Sequence, residues 1–228
     1  MNIVAIVQAR LGSRRLPHKI LMSIAGRPMI SYVLERCLKA TKVKQVILAM
    51  PWADSKEIVN HLDFEDEKLR IMGFENVSED DVAYRFRTVL GVLARRAVPS
   101  AFLRVCADSP LIDWVLMDWM INQWDGKNLT CNFQPRTFPP GQCIEIVPTG
   151  PFMRQGDKGF TESDREHVTQ WYYRHAFYKN VTNPLGDFSA VNQCVDTPED
   201  FERIKAVIEG LDRNHLTFGW QELVERMQ

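Results

Sequence analysis

A basic loop near the N-terminus is the first segment whose residue types and spacing could do chemistry. It extends from Gln8 to Lys19 and reads QARLGSRRLPHK. Gly12 would let the backbone approach a ligand closely, and successive N–H groups there can bind an anion. Arg10, Arg15 and Lys19 add positive charge, which a triphosphate requires because charge builds on its oxygens during transfer. The lysine lacks a following Ser or Thr, so this is not a Walker A loop, and composition alone also permits a merely solvated loop.

Two aspartates that follow apolar segments could hold a divalent cation. Asp108 comes directly after a short apolar run, and Asp196 precedes a Thr-Pro pair at the predicted end of a late strand. Ligands of open α/β sheets lie beyond the carboxyl ends of strands, and Mg²⁺ prefers carboxylates combined with phosphate oxygens. As alternatives, Asp108 is a turn residue and Asp196 caps a helix. Asp113 is interpreted as a helix N-cap.

The alternation of apolar runs and helical stripes predicts the elements that position these residues. Apolar runs predict strands at residues 3–7, 46–50, 69–72, 101–106, 129–133 and 143–147, with a further strand ending at Val195. Helical spacing predicts helices near residues 30–38, 82–93 (capped by Ser78 or Asp80), 114–124 and 165–177, from Pro198, and at 220–227. This order is typical of a Rossmann-like α/β fold, with a mixed, mostly parallel sheet covered by helices on both faces.

Composition excludes several classes of protein. The 228 residues carry a formal net charge of −1 and no basic stripe, so we expect no nucleic-acid partner. The five cysteines are odd in number and never form a C-x-x-C pair, which argues against a zinc site or a disulfide framework and for a reducing cytoplasm. No segment resembles a signal peptide or has the roughly 20 apolar residues of a membrane span, so we expect a soluble, cytoplasmic protein.

These segments, taken in order, resemble the spore-coat polysaccharide F-type cytidylyltransferases, relatives of the acylneuraminate and 3-deoxy-octulosonate cytidylyltransferases. The basic loop is similar to the family element Q-A-R-x-G-S-x-R-L-P-x-K. Further family elements resemble four segments, at residues 78–85, 108–113, 164–169 and 195–200. The resemblance extends over nearly the whole chain and implies the nucleotide-diphospho-sugar transferase fold.

The resemblance implies a Mg²⁺-dependent transfer of CMP from CTP to an acidic sugar of the 3-deoxy-2-keto acid type, with release of pyrophosphate. This reaction would serve surface polysaccharide or glycan synthesis. It also implies a homodimer, and one domain over residues 1–228 with an acceptor-side and dimerisation excursion near residues 129–185. By the same resemblance the catalytic residues are Arg15, Lys19, Asp108 and Asp196, of which the two aspartates hold the metal. The nucleotide would contact Arg10, Leu11, Gly12, Ser13, Arg15, Lys19, Ser78, Asp81 and Arg85, and the acceptor would contact Glu145, Arg165, Glu166 and His167.

Four positions, in three segments, depart from the family pattern. His18 stands where glycine is usual, Cys106-Ala107 replaces a common Thr-Gly, and Cys143 stands where a carboxylate is usual. Other readings also stay open: a glycosyltransferase, a nucleotidyltransferase for another nucleotide or a non-sugar acceptor, and a non-catalytic nucleotide-binding protein. His167 is either a proton-transfer group or a structural histidine.

Overall fold

A seven-stranded sheet forms the centre of the protein, which the computed structural model describes over residues 1–228. The strands are β1 (Ile3–Gln8), β2 (Ser23–Ile24), β3 (Arg27–Pro28), β4 (Gln45–Pro51), β5 (Leu69–Phe74), β6 (Ala101–Cys106), β7 (Leu129–Cys131), β8 (Glu145–Pro148) and β9 (Tyr178–Asn180). The sheet order is β5-β4-β1-β6-β8-β7-β9, while β2 and β3 form a separate hairpin. Only β8 runs antiparallel to its neighbours in the sheet, so the predicted mixed, mostly parallel sheet is confirmed.

Helices cover both faces of the sheet, because its central strands are apolar on both sides. The helices are α1 (Met29–Lys39), α2 (Trp52–His61), α3 (Val82–Ala94), α4 (Trp114–Gln123), α5 (Thr149–Gln155), α6 (Glu162–His167), α7 (Gln170–Arg174), α8 (Pro198–Glu209) and α9 (Trp220–Met227). Alternate residues of β1 enter different cores: Val7 belongs to the core that includes buried residues of α1, α4, α8 and α9, and Ile6 to the core that includes buried residues of α3, α5 and α7. None of the helices has the length and apolarity needed to cross a bilayer.

Two predicted elements are wrong. No strand ends at Val195, because the preceding residues form an irregular segment whose backbone bonds to neighbouring loops instead of a strand. The predicted helix at 165–177 is two short helices, α6 and α7, separated at Val168. Val168 has φ 60°, and its side chain is fully buried, so the break turns this side chain into the core.

Several elements gave no recognisable sequence pattern, and one cap was misassigned. The helices α2 and α5, the edge strand β9 and the β2–β3 hairpin were not predicted. Asp81, rather than Ser78 or Asp80, caps α3 by accepting a hydrogen bond from the backbone N–H of Tyr84. Asp113 is the N-cap of α4, as predicted.

Candidate active site

A cleft of about 350 Å³ opens at the carboxyl ends of β1 and β6. It is lined by many of the residues predicted for the site, namely Arg10, Ser13, Arg15, Lys19, Arg85, Asp108, Glu166, His167 and Asp196. Six other predicted residues do not line it: Leu11, Gly12, Ser78, Asp81, Glu145 and Arg165. The strand-end position predicted for Asp108 is confirmed, because β1 and β6 are adjacent parallel strands whose ends meet at one edge.

The cleft carries an excess of positive charge. Three carboxylates line it, from Asp108, Glu166 and Asp196, against six cationic side chains, from Arg10, Arg14, Arg15, Lys19, Arg85 and Arg104. The difference among the lining side chains, six minus three, is three positive charges in a concave site, where field lines concentrate, although Arg10 and Arg104 also pair with carboxylates outside the lining, Asp80 and Glu145. Such a cleft favours a polyanionic ligand, although the whole chain carries a net charge of −1.

Lys19 joins the two predicted metal-binding aspartates. Its Nζ lies 3.2 Å from Asp108 Oδ2 and 3.1 Å from Asp196 Oδ1, and it donates to the Val195 carbonyl at 2.7 Å. Burial lowers the pKa of Lys19, but the two carboxylates raise it by a larger amount. The net shift of the pKa is therefore upward, and the ammonium stays charged. Arg15 adds a second cation, 2.9 Å from Asp196.

A buried amide network brings the Asp196 segment next to Asp108. The Val195 N–H donates to the Asp108 carbonyl at 2.9 Å, which anchors the segment directly. The fully buried Gln142 side chain donates to the Leu111 carbonyl and to Gln193 Oε1, both at 2.7 Å. This glutamine thereby links the turn after β6 to the segment before α8, and no strand is needed to deliver Asp196.

Asp196 does not cap α8, which was the alternative reading of this residue. Thr197 is the N-cap: its side chain accepts from the Asp200 N–H, and Asp200 accepts in return from the Thr197 N–H, forming a capping box. The Asp196 carboxylate is therefore free to bind Lys19 and Arg15.

The donor set at this point fits a divalent cation. One ligand atom from each of Asp108, Asp196 and Cys194 lies within 4.8 Å of the others. The two carboxylates suit Mg²⁺, and the ammonium of Lys19 between them shows that the position stabilises a cation. Burial and the two neighbouring carboxylates raise the pKa of the Cys194 thiol, so the sulfur is protonated when no metal is bound.

The backbone of the basic loop faces carboxylates of other elements. The Leu11 N–H donates to Asp54 Oδ2 at 2.9 Å, and Asp54 lies in the first turn of the unpredicted α2. A Cβ on Gly12 would lie 2.5 Å from Glu79 Oε2, so glycine admits a close approach here. His18 has φ 57°, a left-handed conformation that glycine adopts without strain and that other residues adopt only rarely.

Val82 and Arg85, both of α3, form part of one wall of the cleft. Arg85 is buried and donates to the carbonyls of Ser78 at 3.0 Å and Glu79 at 2.8 Å, which holds the turn in place. Asp81 caps α3 and also contacts Arg165 at 3.3 Å, so Arg165 braces this wall instead of lining the cleft. Ser78 accepts from Arg85 through its backbone carbonyl and does not itself line the cleft.

Glu145 lies beneath the cleft floor. It is the direct cross-strand partner of Arg104, on the antiparallel pair β6–β8, and Arg104 donates to it at 2.7 Å. The hydroxyls of Thr169 and Tyr173 donate to its other oxygen at 2.5 and 2.6 Å, and its side chain is only 3% exposed. These three partners occupy both oxygens, so Glu145 acts on the cleft through Arg104.

Arg104 is a cleft residue that the sequence reasoning missed. It lines the floor and also donates through Nε to Gln8 at 3.1 Å. Gln8, at the end of β1, and Glu145, at the start of β8, therefore both hold its guanidinium. The available signal was a single charged residue inside the otherwise apolar run AFLRVC. A buried charge in such a strand requires a partner and is often functional.

Two residues of α6, Glu166 and His167, also line the cleft. Glu166 accepts from Arg10 at 2.7 Å, and Arg10 also binds Asp80, so this arginine joins α6 to the turn before α3. His167 accepts hydrogen bonds from Thr169 through its backbone carbonyl, while its ring lines the cleft without a hydrogen-bond partner and is available to a ligand.

Comparisons with known proteins identify the family of this chain. The family model described as "Cytidylyltransferase" matches residues 4–132, more than half of the chain. The spore coat polysaccharide biosynthesis protein SpsF of Bacillus subtilis is 27% identical over 219 residues, 91% of this chain and 87% of that protein. The 3-deoxy-manno-octulosonate cytidylyltransferase of Geobacter sulfurreducens is 34% identical over 122 residues, 52% of this chain and 43% of that enzyme.

Solved structures show the same fold. The structure of a cytidylyltransferase from Leptospira borgpetersenii superimposes with a TM-score of 0.85 at 23% identity, over 100% of this chain and 94% of that one. A CMP:2-keto-3-deoxy-manno-octonic acid synthetase complexed with CTP gives a TM-score of 0.65 at 16% identity, over 92% and 99% of the two chains. The extent of the family match, the shared fold and the cationic cleft together establish that this chain belongs to the cytidylyltransferase family of nucleotidyltransferases.

Proposed function

We propose that this chain transfers CMP from CTP to a small carboxylate-bearing sugar, of the 3-deoxy-2-keto acid type, and releases pyrophosphate. The observation that carries the proposal is the meeting of Asp108 and Asp196 around a cation position at the head of a positively charged cleft. The names of the relatives support the sugar class and a role in polysaccharide synthesis, since they include octulosonate cytidylyltransferases and a spore coat polysaccharide protein.

Mg²⁺ is the proposed cofactor, held by Asp108 and Asp196. When bound, it would supply charge neutralisation at the phosphate and lower the proton affinity of the attacking hydroxyl. The acceptor oxygen would bond to the α-phosphorus of CTP while the bond from that phosphorus to the departing pyrophosphate breaks. Arg15 and Lys19 would neutralise the charge that grows on the pyrophosphate.

The floor of the cleft supports an acidic acceptor. Arg104 offers a fixed guanidinium there, and a guanidinium matches a carboxylate through paired hydrogen bonds. Glu145 holds the side chain in place from below, so little entropy would be lost when the acceptor binds. His167 also lines the cleft, where its imidazole can assist removal of the hydroxyl proton.

The homodimer and the cytoplasmic location are part of the same proposal. The predicted excursion at residues 129–185 exposes large apolar side chains, including Phe177 at 58% and Leu185 at 59%, which supports a surface covered by a second copy. All five cysteines are free thiols, which supports a reducing compartment. Analytical ultracentrifugation would test the dimer, and a monomer at micromolar concentration would refute it.

The first test compares thermal stability with CTP, UTP, GTP and ATP, each with and without Mg²⁺. A ligand at about 100 times its Kd adds about 2.7 kcal/mol, which gives a clear shift in Tm. A Mg²⁺-dependent shift with CTP alone supports the proposal, whereas preference for another nucleotide indicates a different transferase.

Pyrophosphate release with a panel of acidic sugars then tests the reaction itself. Asp108→Asn and Asp196→Asn should abolish turnover while the circular dichroism spectrum stays unchanged. Near-normal activity in either variant would remove that aspartate from the metal site. Nucleotide binding without any turnover or metal dependence would favour the non-catalytic reading.

A further inference from the structure

Cys194 lies beside the cation position, yet the proposed reaction gives it no role. Its sulfur lies within 4.8 Å of carboxylate oxygens from both Asp108 and Asp196. The residue next to it, Val195, directs its carbonyl at the same point, where it accepts from Lys19 Nζ at 2.7 Å. One short segment therefore supplies a thiol, a carbonyl and a carboxylate to a position that Asp108 completes.

The Lys19 ammonium is independent support for a cation site at this position. It has three oxygen neighbours within 3.2 Å, two of them carboxylate oxygens, and its side chain is only 11% exposed. An enclosed ammonium with this set of partners marks where the electrostatic potential of the protein is favourable for positive charge.

We propose that Cys194 makes this site a mixed carboxylate–thiolate site, which in the absence of nucleotide binds thiophilic divalent ions such as Zn²⁺ and Co²⁺ in preference to Mg²⁺. The inference rests on the metal position of the proposed function. Mg²⁺ gains little from sulfur because it prefers oxygen ligands, whereas Zn²⁺ and Co²⁺ bind carboxylate and thiolate together.

Occupation by such an ion changes the partners of two residues. The thiol proton of Cys194 is released to solvent, because the thiolate is the form that binds metal. The ion also competes with Lys19 for both carboxylates. Zn²⁺ bound in this way would antagonise Mg²⁺ at the same aspartates.

Co²⁺ titration of the full chain, without nucleotide, tests the inference by absorption spectroscopy. A thiolate bound to Co²⁺ produces a charge-transfer band in the near ultraviolet, and one equivalent of Zn²⁺ should remove it while millimolar Mg²⁺ should not. Cys194→Ser should abolish the band and weaken Co²⁺ binding by more than about tenfold, the lower limit seen when even an outer-shell partner of a metal ligand is removed.

Two other cysteines provide matched controls. Cys106 lines the cleft and Cys143 accepts a hydrogen bond from Arg136, but neither belongs to the ligand cluster. Cys106→Ser and Cys143→Ser should keep the band, and loss of the band in either variant instead of in Cys194→Ser would overturn the assignment.

The wild-type spectrum alone can refute the inference. Co²⁺ binding without a charge-transfer band would show that Cys194 is not a ligand, while the nucleotide-dependent stability shift would still test the proposed function separately. A band without any nucleotide response would leave the thiolate site in place and refute the cytidylyltransferase chemistry. No Co²⁺ binding at all would overturn the mixed site.

Discussion

Replacing Glu145 by Gln separates two roles for this carboxylate. If Glu145 contacts the acceptor, the variant should raise KM for the acceptor and leave stability unchanged. The structure instead places it in a buried ion pair with Arg104, at 2.7 Å, with side chains 3% and 14% exposed. Glutamine keeps the volume and one acceptor oxygen, but it leaves the guanidinium without its counter-charge.

The expected loss of stability follows from that burial. Removing one partner of a buried pair costs about 3–5 kcal/mol, because the other charge stays buried without compensation. Arg104 also opens onto the cleft, so water can screen it, and we expect about 3 kcal/mol, the lower end of that range. Urea unfolding at equilibrium, without ligands, measures the loss as a shift in the transition midpoint.

Glu166→Gln is the matched control. Its carboxylate also pairs with an arginine, Arg10, but both side chains are about 30% exposed, and exposed pairs contribute about 1 kcal/mol or less. Equal losses in the two variants, or a loss below about 1 kcal/mol for Glu145→Gln, would refute the buried-pair reasoning. Adding Arg104→Met to Glu145→Gln should recover much of the stability, since an uncharged pair leaves no buried charge unpartnered.

Three further predictions concern the metal position, a glycine and acid stability. Lys19→Gln removes the ammonium that competes with a metal ion for the two aspartates, so Mn²⁺ should bind more tightly to the nucleotide-free protein. The Kd should fall roughly tenfold for each 1.4 kcal/mol of competition removed. Weaker binding in calorimetry would contradict the cation-site interpretation. Gly141→Ala should lower the free energy of unfolding by more than about 2 kcal/mol, because Gly141 has φ +95° and a Cβ would lie 2.5 Å from the Gln193 backbone. A Tm near that of the wild type would refute this. Burial raises the pKa of Glu35, but hydrogen bonds from His215 and Arg27 outweigh this effect and lower the pKa to about 2, against a usual value of 4.5. Its stabilisation should therefore be complete above pH about 4.5 and disappear as the pH falls toward about 2, and Glu35→Gln should flatten the stability curve in that window only.

The parallel half of the fold was predictable from local pattern. Runs such as residues 3–7 and 46–50 are apolar throughout, which is the pattern of a strand buried on both faces. The later strands are short and lie near one edge of the sheet, so their pattern is weak. The α6–α7 break at Val168 also gave no local signal, because it serves the packing of one side chain.

The site was predicted in part and for a partly wrong reason. Asp108 lies where strand-end reasoning places it, beside the loop that contains Lys19. Asp196 reaches the same point, yet it arrives on an irregular segment held by Gln142 instead of on a strand. The residue type was therefore enough to identify Asp196 as a partner of Asp108, while long-range hydrogen bonds determine the path of the backbone that brings it there.

The sequence by itself determined the identities of the charges and the strand ends that carry them, because both depend on neighbours within a few residues. The pairing of charges was decided only by tertiary structure. Arg104 meets Glu145 because β8 runs antiparallel to β6 in one register, and Lys19 lies between two aspartates that are 88 positions apart (196 minus 108). Electrostatic energy depends on distance and burial, and neither quantity exists until the chain has folded.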